Sequence, residues 1–364
     1  MSNDARWAGI DTSTRTYSVC VVDETGHTVS KADLPADAAA ADAFLSSHLP
    51  GLTEVALETG RTSIHLARRL TELGYPVSVY DALKVHKFLR LKPNKTDVND
   101  ALGLAEIARI GGSTIRKVYL KPLHLSLLRT KLVTRERLIK MRKVNEGAIM
   151  SLLHSYGVRA SGRVSSRVSL RRVVAEMLTK VERSYDVPVR GIVMPLVELS
   201  VSLRQEELRL ENELKEWANA DEACRRLMEI PGVGPITSIS FMTAIGDPSR
   251  FEKTEDVGPY LGLTPKVWQT GAYTRSRRIS KTGSGMTRKH LHAAARQTLD
   301  SRTNSPLQAW GRSLAVRANR RKALVALARK LAVIMLAIWK SGSRFDYTRA
   351  PPVAKTSGML QATY

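Results

Sequence analysis

The first eighty residues carry an order of short apolar runs that leaves few folds open. Trp7–Asp11 (WAGID) is a buried-type strand ending in an acid, and Tyr17–Val22 alternates with β-branched residues. Asp23-Glu24-Thr25-Gly26 is a turn signal, and a third strand is expected near His27–Ala32. Three strands joined by short turns make an antiparallel meander. A helix around Ala38–His48 follows, then a strand Glu54–Leu57 closing on Glu58. A helix across Ser63–Leu73 is stopped by Gly74, and a strand covers Pro76–Tyr80.

A meander followed by alternating helix and strand is the order of a ribonuclease-H-like α/β domain. Beyond it the pattern changes. Lys121 to Gly157 reads as helix rich in Arg and Lys, and a less regular stretch holds Gly162 and Ser165-Ser166. Helical spacing returns over Pro195–Trp217, where Leu196, Leu199, Leu203, Leu210 and Leu214 are placed like a seam. Two readings stand side by side: long paired helices forming a coiled coil, or core helices of one globular domain. Pro231-Gly232-Val233-Gly234-Pro235 fits the turn of a helix–hairpin–helix, whose glycines Gly232 and Gly234 let backbone N–H groups approach a phosphate. It fits a plain helix–helix turn equally. A Gly/Ser/Thr/Arg-rich loop is expected from Thr264 to Thr287, then amphipathic helices to Trp339 and a loose tail. The expected division is a catalytic domain at 1–115, a helical linker at 116–222, a mainly α C-terminal domain at 223–345 and a tail at 346–364.

Charge separates these regions. The 364 residues carry a formal net charge of +23, which selects polyanionic partners, nucleic acid foremost. Residues 1–110 hold 12 Lys/Arg against 14 Asp/Glu, residues 120–190 hold 16 against 5, and residues 261–330 hold 16 against Asp300 alone. A near-neutral domain suited to carboxylate chemistry is thus followed by regions suited to gripping phosphates. Arg275, Arg277, Arg278, Lys281, Arg288 and Lys289 are the candidate contacts. Aromatics are 5% of the chain, too few for base stacking to dominate. Cys20 and Cys224 suit a reducing compartment and exclude a cysteine-rich zinc site. The apolar run Leu331–Trp339 is too short to span a bilayer, and the N-terminus shows no signal-peptide pattern, so a cytoplasmic, nucleoid-associated protein without membrane contact is expected.

Four acids stand out by position. Asp11 ends the first strand and Glu58 the fourth. Asp97 and Asp100 share one face at the start of a helix whose apolar side runs Val98, Ala101, Ala105, Ala108. The dipole of that helix favours negative charge in its first turn. In this fold the first and fourth strands are neighbours, so Asp11 and Glu58 would repel unless a cation lay between them. Magnesium prefers a few carboxylates plus phosphate oxygens. Two magnesium ions about 4 Å apart could activate a nucleophile and stabilise the leaving oxygen of a phosphodiester.

The motifs GIDTST, LETG, KTDVNDA, IPGVGP, YLGLTPK and RISKTG, in this order, resemble the DEDD transposases of the Piv invertase and IS-one-ten insertion-sequence group. The likeness covers roughly residues 6–110 and 225–345. It implies a RuvC-like domain, a coiled-coil linker and a C-terminal transposase domain sharing a composite active site. It implies that Asp11, Glu58, Asp97 and Asp100 bind magnesium, and that a serine of the C-terminal domain attacks DNA to give a phosphoserine. It further implies a homo-oligomer, dimer or tetramer, and a bridge RNA that chooses DNA. The family's serine precedes a glycine after the GLTP-like motif. Here that stretch reads Val267-Trp268-Gln269-Thr270-Gly271, so Thr270 holds the position. Ser280 in RISKTG is the alternative nucleophile, with Ser276 and Ser284 close by.

Three competitors use the same features. An actin-like or sugar-kinase ATPase also opens on a strand, Asp and Ser/Thr turn, but a second Asp-Gly-Gly phosphate loop is missing and the basic C-terminal region has no use there. A non-catalytic, transposase-derived binding protein would tolerate Thr270. A RuvC-like junction nuclease would need the four acids and not the C-terminal loop.

Overall fold

The computed structural model describes residues 5–89, 97–111, 115, 117–160, 167–270, 273–301 and 305–348. They form two compact units, divided between Leu120 and Lys121.

The first unit opens with strands β1 (Arg6–Thr12), β2 (Thr16–Val22) and β3 (Thr28–Pro35), the expected meander. Helix α1 (Ala38–Ser46) is capped by the Asp37 carboxylate, and strand β4 (Leu52–Glu58) follows. Helix α2 (Ser63–Glu72), strand β5 (Val77–Tyr80) and helices α3 (Ala82–Leu89) and α4 (Asp97–Ile110) come next. Strand β6 (Lys117–Val118) closes the sheet, so the unit runs to residue 120. The order is β3-β2-β1-β4-β5-β6. β1 pairs antiparallel with β2 and parallel with β4, the mixed pattern a meander followed by crossovers dictates.

Alternation sorts the sheet's two faces. Ala8, Ile10, Val55 and Leu57 point into a core with Leu45, Leu66 and Leu70 of α1 and α2. The opposite parity, Ala56 and Tyr80 with Trp7 at the edge, packs on Leu104, Ile107 and Ala108 of α4.

The second unit begins with α5 (Leu123–His154), α6 (Arg167–Tyr185) and α7 (Arg190–Ala220). α5 and α7 run antiparallel, with Lys131, Arg135 and Arg142 facing Glu213, Glu211 and Glu207. Glu207 is buried and accepts from Arg142 Nε at 2.9 Å and Arg204 Nη1 at 2.6 Å. Asn145 Nδ2 donates to the Leu196 carbonyl at 2.6 Å and Ser200 Oγ at 2.7 Å. A slip of register would leave these buried groups unsatisfied. The expected leucine seam is corrected in one place: Leu203, Leu210 and Leu214 are buried, whereas Leu199 is 48% exposed. The buried stripe runs Val193, Val197, Ser200, Leu203, Glu207, Leu210, Leu214, and polar residues hold two of its positions.

Short helices α8 (Glu222–Met228), α9 (Pro235–Ile245) and α10 (Val257–Tyr260) follow. Strands β7 (Pro265–Thr270) and β8 (Tyr273–Ile279) then pair antiparallel. This corrects the loop expected over 264–287. Glycine and serine suggested a loop, but Val267-Trp268 and Tyr273-Thr274 are strand formers. Helices α11 (Gly285–Asp300), α12 (Pro306–Arg317) and α13 (Arg320–Ser341) complete the unit. Their core joins Leu125, Leu128 and Leu132 of α5 and Leu214 of α7 to Phe241, Leu291, Leu327 and Met335.

Candidate active site

Asp11 and Glu58 occupy the C-terminal ends of adjacent parallel strands, the crevice where open α/β sheets place ligands. The register pairs Gly9 with Ala56 and Ile10 with Leu57. The next step outward brings Asp11 opposite Glu58, and both share the parity of Gly9 and Ala56, the face covered by α4. Both carboxylates are partly exposed.

The loops around them are fixed by short-range hydrogen bonds. Ser13 Oγ accepts from Arg15 N at 3.1 Å and Thr16 N at 2.9 Å, tightening the β1–β2 turn. After Glu58, Thr59 N donates to the Tyr80 carbonyl at 2.8 Å and Thr59 Oγ1 accepts from Ala82 N at 3.0 Å. Gly60 N donates to Ser63 Oγ at 2.6 Å.

α4 carries the other two acids. It begins at Asp97, and Asp100, in its first turn, is partly exposed one residue before the buried Ala101. The Asp97 side chain lies outside the described residues. The helix lies close on β1: a Cβ added to Gly9 would meet the Ala101 carbonyl oxygen at 2.1 Å and Ala105 N at 2.3 Å. Carboxylates without imidazole or thiolate suit a hard divalent cation. Among the described residues no three His, Cys, Asp or Glu side chains are grouped to hold a metal ion.

The second unit bears the hydroxyl candidates. Thr270 ends β7 and pairs with Tyr273 of β8, and its side chain lies outside the described residues, as do those of Arg275, Ser276 and Arg277. Ser280 follows β8 and its Oγ lies 3.0 Å from Thr282 Oγ1. Ser284 caps α11, accepting from Thr287 N at 3.2 Å. Residues 8–158 match the DEDD transposase family of the IS110 type, and residues 224–310 match the transposase IS116/IS110/IS902 family. The putative transposase y4pF/y4sB of Sinorhizobium fredii is 31% identical over 310 residues, 84% of this chain and 77% of that protein. The chain belongs to the IS110 family of transposases. The transposase for insertion sequence element IS1111A of Coxiella burnetii is 28% identical, over 92% of this chain and 90% of its own length. That for element IS1328 of Yersinia enterocolitica is 27% identical, over 80% and 85%.

This transposase is accordingly a DNA-acting enzyme, and among its described residues no helix is long and apolar enough to cross a membrane. Several of the expected phosphate contacts have other partners in it. Arg288 Nη1 donates to the carbonyls of Leu261 at 3.1 Å, Thr282 at 2.5 Å and Gly283 at 3.2 Å. Lys289 is ion-paired to Glu136 of α5. Gly232, at φ +84°, packs on α11, where a Cβ would meet Thr298 Oγ1 at 2.5 Å and the Ala294 carbonyl at 2.6 Å. Gly234 opens α9 with no atom within 4 Å of such a Cβ, and Arg278 and Lys281 are exposed.

Sequence reasoning missed one polar cluster. Glu136 of α5 also pairs with His290 of α11, Oε1 to Nε2 at 3.2 Å. The carboxylate only accepts, so Nε2 carries the hydrogen. Burial lowers the His290 pKa, with Lys289 and Arg135 adding to it and Glu136 opposing. Burial raises that of Glu136, but hydrogen bonds from Lys289 and His290 bring it below the usual range. These groups lie 154 positions apart, and no local pattern joins them.

Proposed function

We propose that this transposase cleaves and rejoins DNA at a carboxylate-held magnesium site in which Asp11, Glu58, Asp97 and Asp100 hold two ions. The observation that carries the reading is the placement of Asp11 and Glu58 at neighbouring strand ends on the face covered by α4. Magnesium bound there would favour loss of the attacking hydroxyl's proton and neutralise charge on the leaving oxygen.

Thr270 is assigned as the nucleophile, at the end of β7. Its oxygen forms a bond to the scissile phosphorus, one P–O ester bond breaks, and the departing strand end takes up a proton as a free hydroxyl. The phosphothreonine so formed keeps the phosphodiester's energy for rejoining. Ser280 is the alternative. The basic regions at 120–190 and 261–330, with the exposed Arg278 and Lys281, grip phosphates of DNA and of a bridge RNA, near the nucleoid. The α5–α7 pair serves as the linker on which a dimer or tetramer assembles, the partly uncovered Leu199 contributing to the contact.

The test is cleavage of supercoiled plasmid with and without magnesium. Asp11→Asn should abolish cleavage while leaving DNA affinity unchanged. Wild-type cleavage by that variant would mean that the metal site has been misassigned.

A further inference from the structure

The cations of the last helices divide into two groups. From Ser301 to Phe345 the chain contains no acid. Arg320 is held by Asp300, Nη2 lying 2.7 and 2.8 Å from the two carboxylate oxygens. Arg312 Nη2 donates to the Ser301 carbonyl at 3.1 Å. The side chains of Arg317, Arg321 and Lys322 have no hydrogen-bond or ion-pair partner among the described residues.

Those three stand on one fixed corner. Every residue from Val316 to Lys322 is exposed, and Val316 is 88% exposed. Only Ala318 and Asn319 separate α12 from α13. Ala318 N donates to the Leu314 carbonyl at 3.0 Å, and the Asn319 carbonyl accepts from Ala323 N at 3.0 Å. Asn319 Oδ1 accepts from Lys322 N at 2.8 Å. Beneath the corner Ala323, Leu324 and Leu327 are buried. The cations are therefore presented by a backbone that is already ordered, and holding it costs little entropy on binding.

We propose that Arg317, Arg321 and Lys322 form a docking surface for the phosphate backbone of duplex DNA, with Val316 against the sugar edge of the groove. Charge complementarity names the partner. Duplex DNA carries one negative charge per about 1.7 Å of axis, dense enough for each cation to meet a phosphate. A corner fixed at both helix ends matches a stiff duplex better than a single strand that must be ordered on it. The proposal rests on DNA binding by the transposase, not on the magnesium chemistry.

The test is duplex oligonucleotide binding by the full chain over a range of salt. Arg317→Ala/Arg321→Ala/Lys322→Ala should lower the log–log salt slope by about 2 to 3 and weaken binding roughly tenfold or more near physiological salt. Its thermal midpoint should match wild type, since no protein contact is removed. Val316→Glu, which adds charge without removing a contact, should also weaken duplex binding and guards against misfolding of the triple variant. An unchanged salt slope in the triple variant overturns the proposal, as does a loss confined to single-stranded DNA or RNA. A parallel Arg278→Ala/Lys281→Ala variant separates the readings. If it alone loses affinity, the corner is not the surface and the wider basic-region reading stands. If neither variant loses affinity, both readings fail.

Discussion

The Ala101 carbonyl oxygen lies so close over Gly9 that a Cβ there would sit 2.1 Å from it. No side chain fits between β1 and α4 at this position, so Gly9 sets how closely the helix that begins at Asp97 approaches the strand that ends beyond Asp11. Gly9→Ala should destabilise the first unit by about 3 kcal/mol, since the atoms it meets are backbone and cannot rotate away. Plasmid cleavage should fall with it. Gly147→Ala on α5, where nothing lies within 4 Å, should instead stabilise by roughly 0.5–1 kcal/mol. Denaturant midpoints of the two variants check both signs.

Arg288 joins three carbonyls at the foot of the β7–β8 hairpin. Arg288→Lys keeps the charge but cannot reproduce the planar fork of donors. If Arg288 positions the hairpin, cleavage should drop by about tenfold or more, the loss of a kilocalorie-scale set of bonds, while DNA affinity stays level. A parallel fall in affinity with normal cleavage at saturating DNA would show a phosphate contact instead.

Acid should loosen the link between α5 and α11. The His290 pKa is lowered by burial, so below about 6.5 the unfolded chain takes a proton the folded chain refuses, and stability falls with pH. Glu136 is lowered as well, and the stability it contributes is lost further down, as pH drops below 4.5 through its folded value. Unfolding midpoints of wild type should therefore decline between pH 7 and 5.5. His290→Asn should flatten that decline relative to wild type. Equal slopes for the two proteins would remove His290 from the account.

Thr270→Ser should raise the rate of strand cleavage. The threonine methyl group stiffens χ1 and crowds an attack that serine can make freely. Mass spectrometry of a trapped protein–DNA adduct should place phosphate on residue 270. An adduct on Ser280, or one that persists in Thr270→Ala, would transfer the role elsewhere.

The sequence was most readable where a local period carries the information. Alternation and the Asp-Glu-Thr-Gly turn exposed the meander, and strand-end position singled out Asp11 and Glu58 before any contact was known. Spacing was less informative along α7, because Ser200 and Glu207 occupy buried positions that a search for leucine passes over, while Leu199 looks outward. Composition misdirected the reading of 264–287, where glycine and serine masked two short strands. Partnerships such as Glu136 with His290, or Arg288 with Leu261, depend on how helices pack and leave no trace in local pattern.

The hairpin of β7 and β8 is clamped at its foot, where Ser280 N donates to the Thr264 carbonyl and Lys281 N to that of Gly262. With that end fixed, the length of the two strands sets how far position 270 stands from the clamp. Each residue adds about 3.3 Å and turns the terminal side chain to the opposite face. Two residues inserted in each arm would carry position 270 outward and keep its facing, whereas one would reverse it. Relatives that vary this hairpin are therefore expected to differ by an even number of residues in each strand, a parity constraint that total length alone would never suggest.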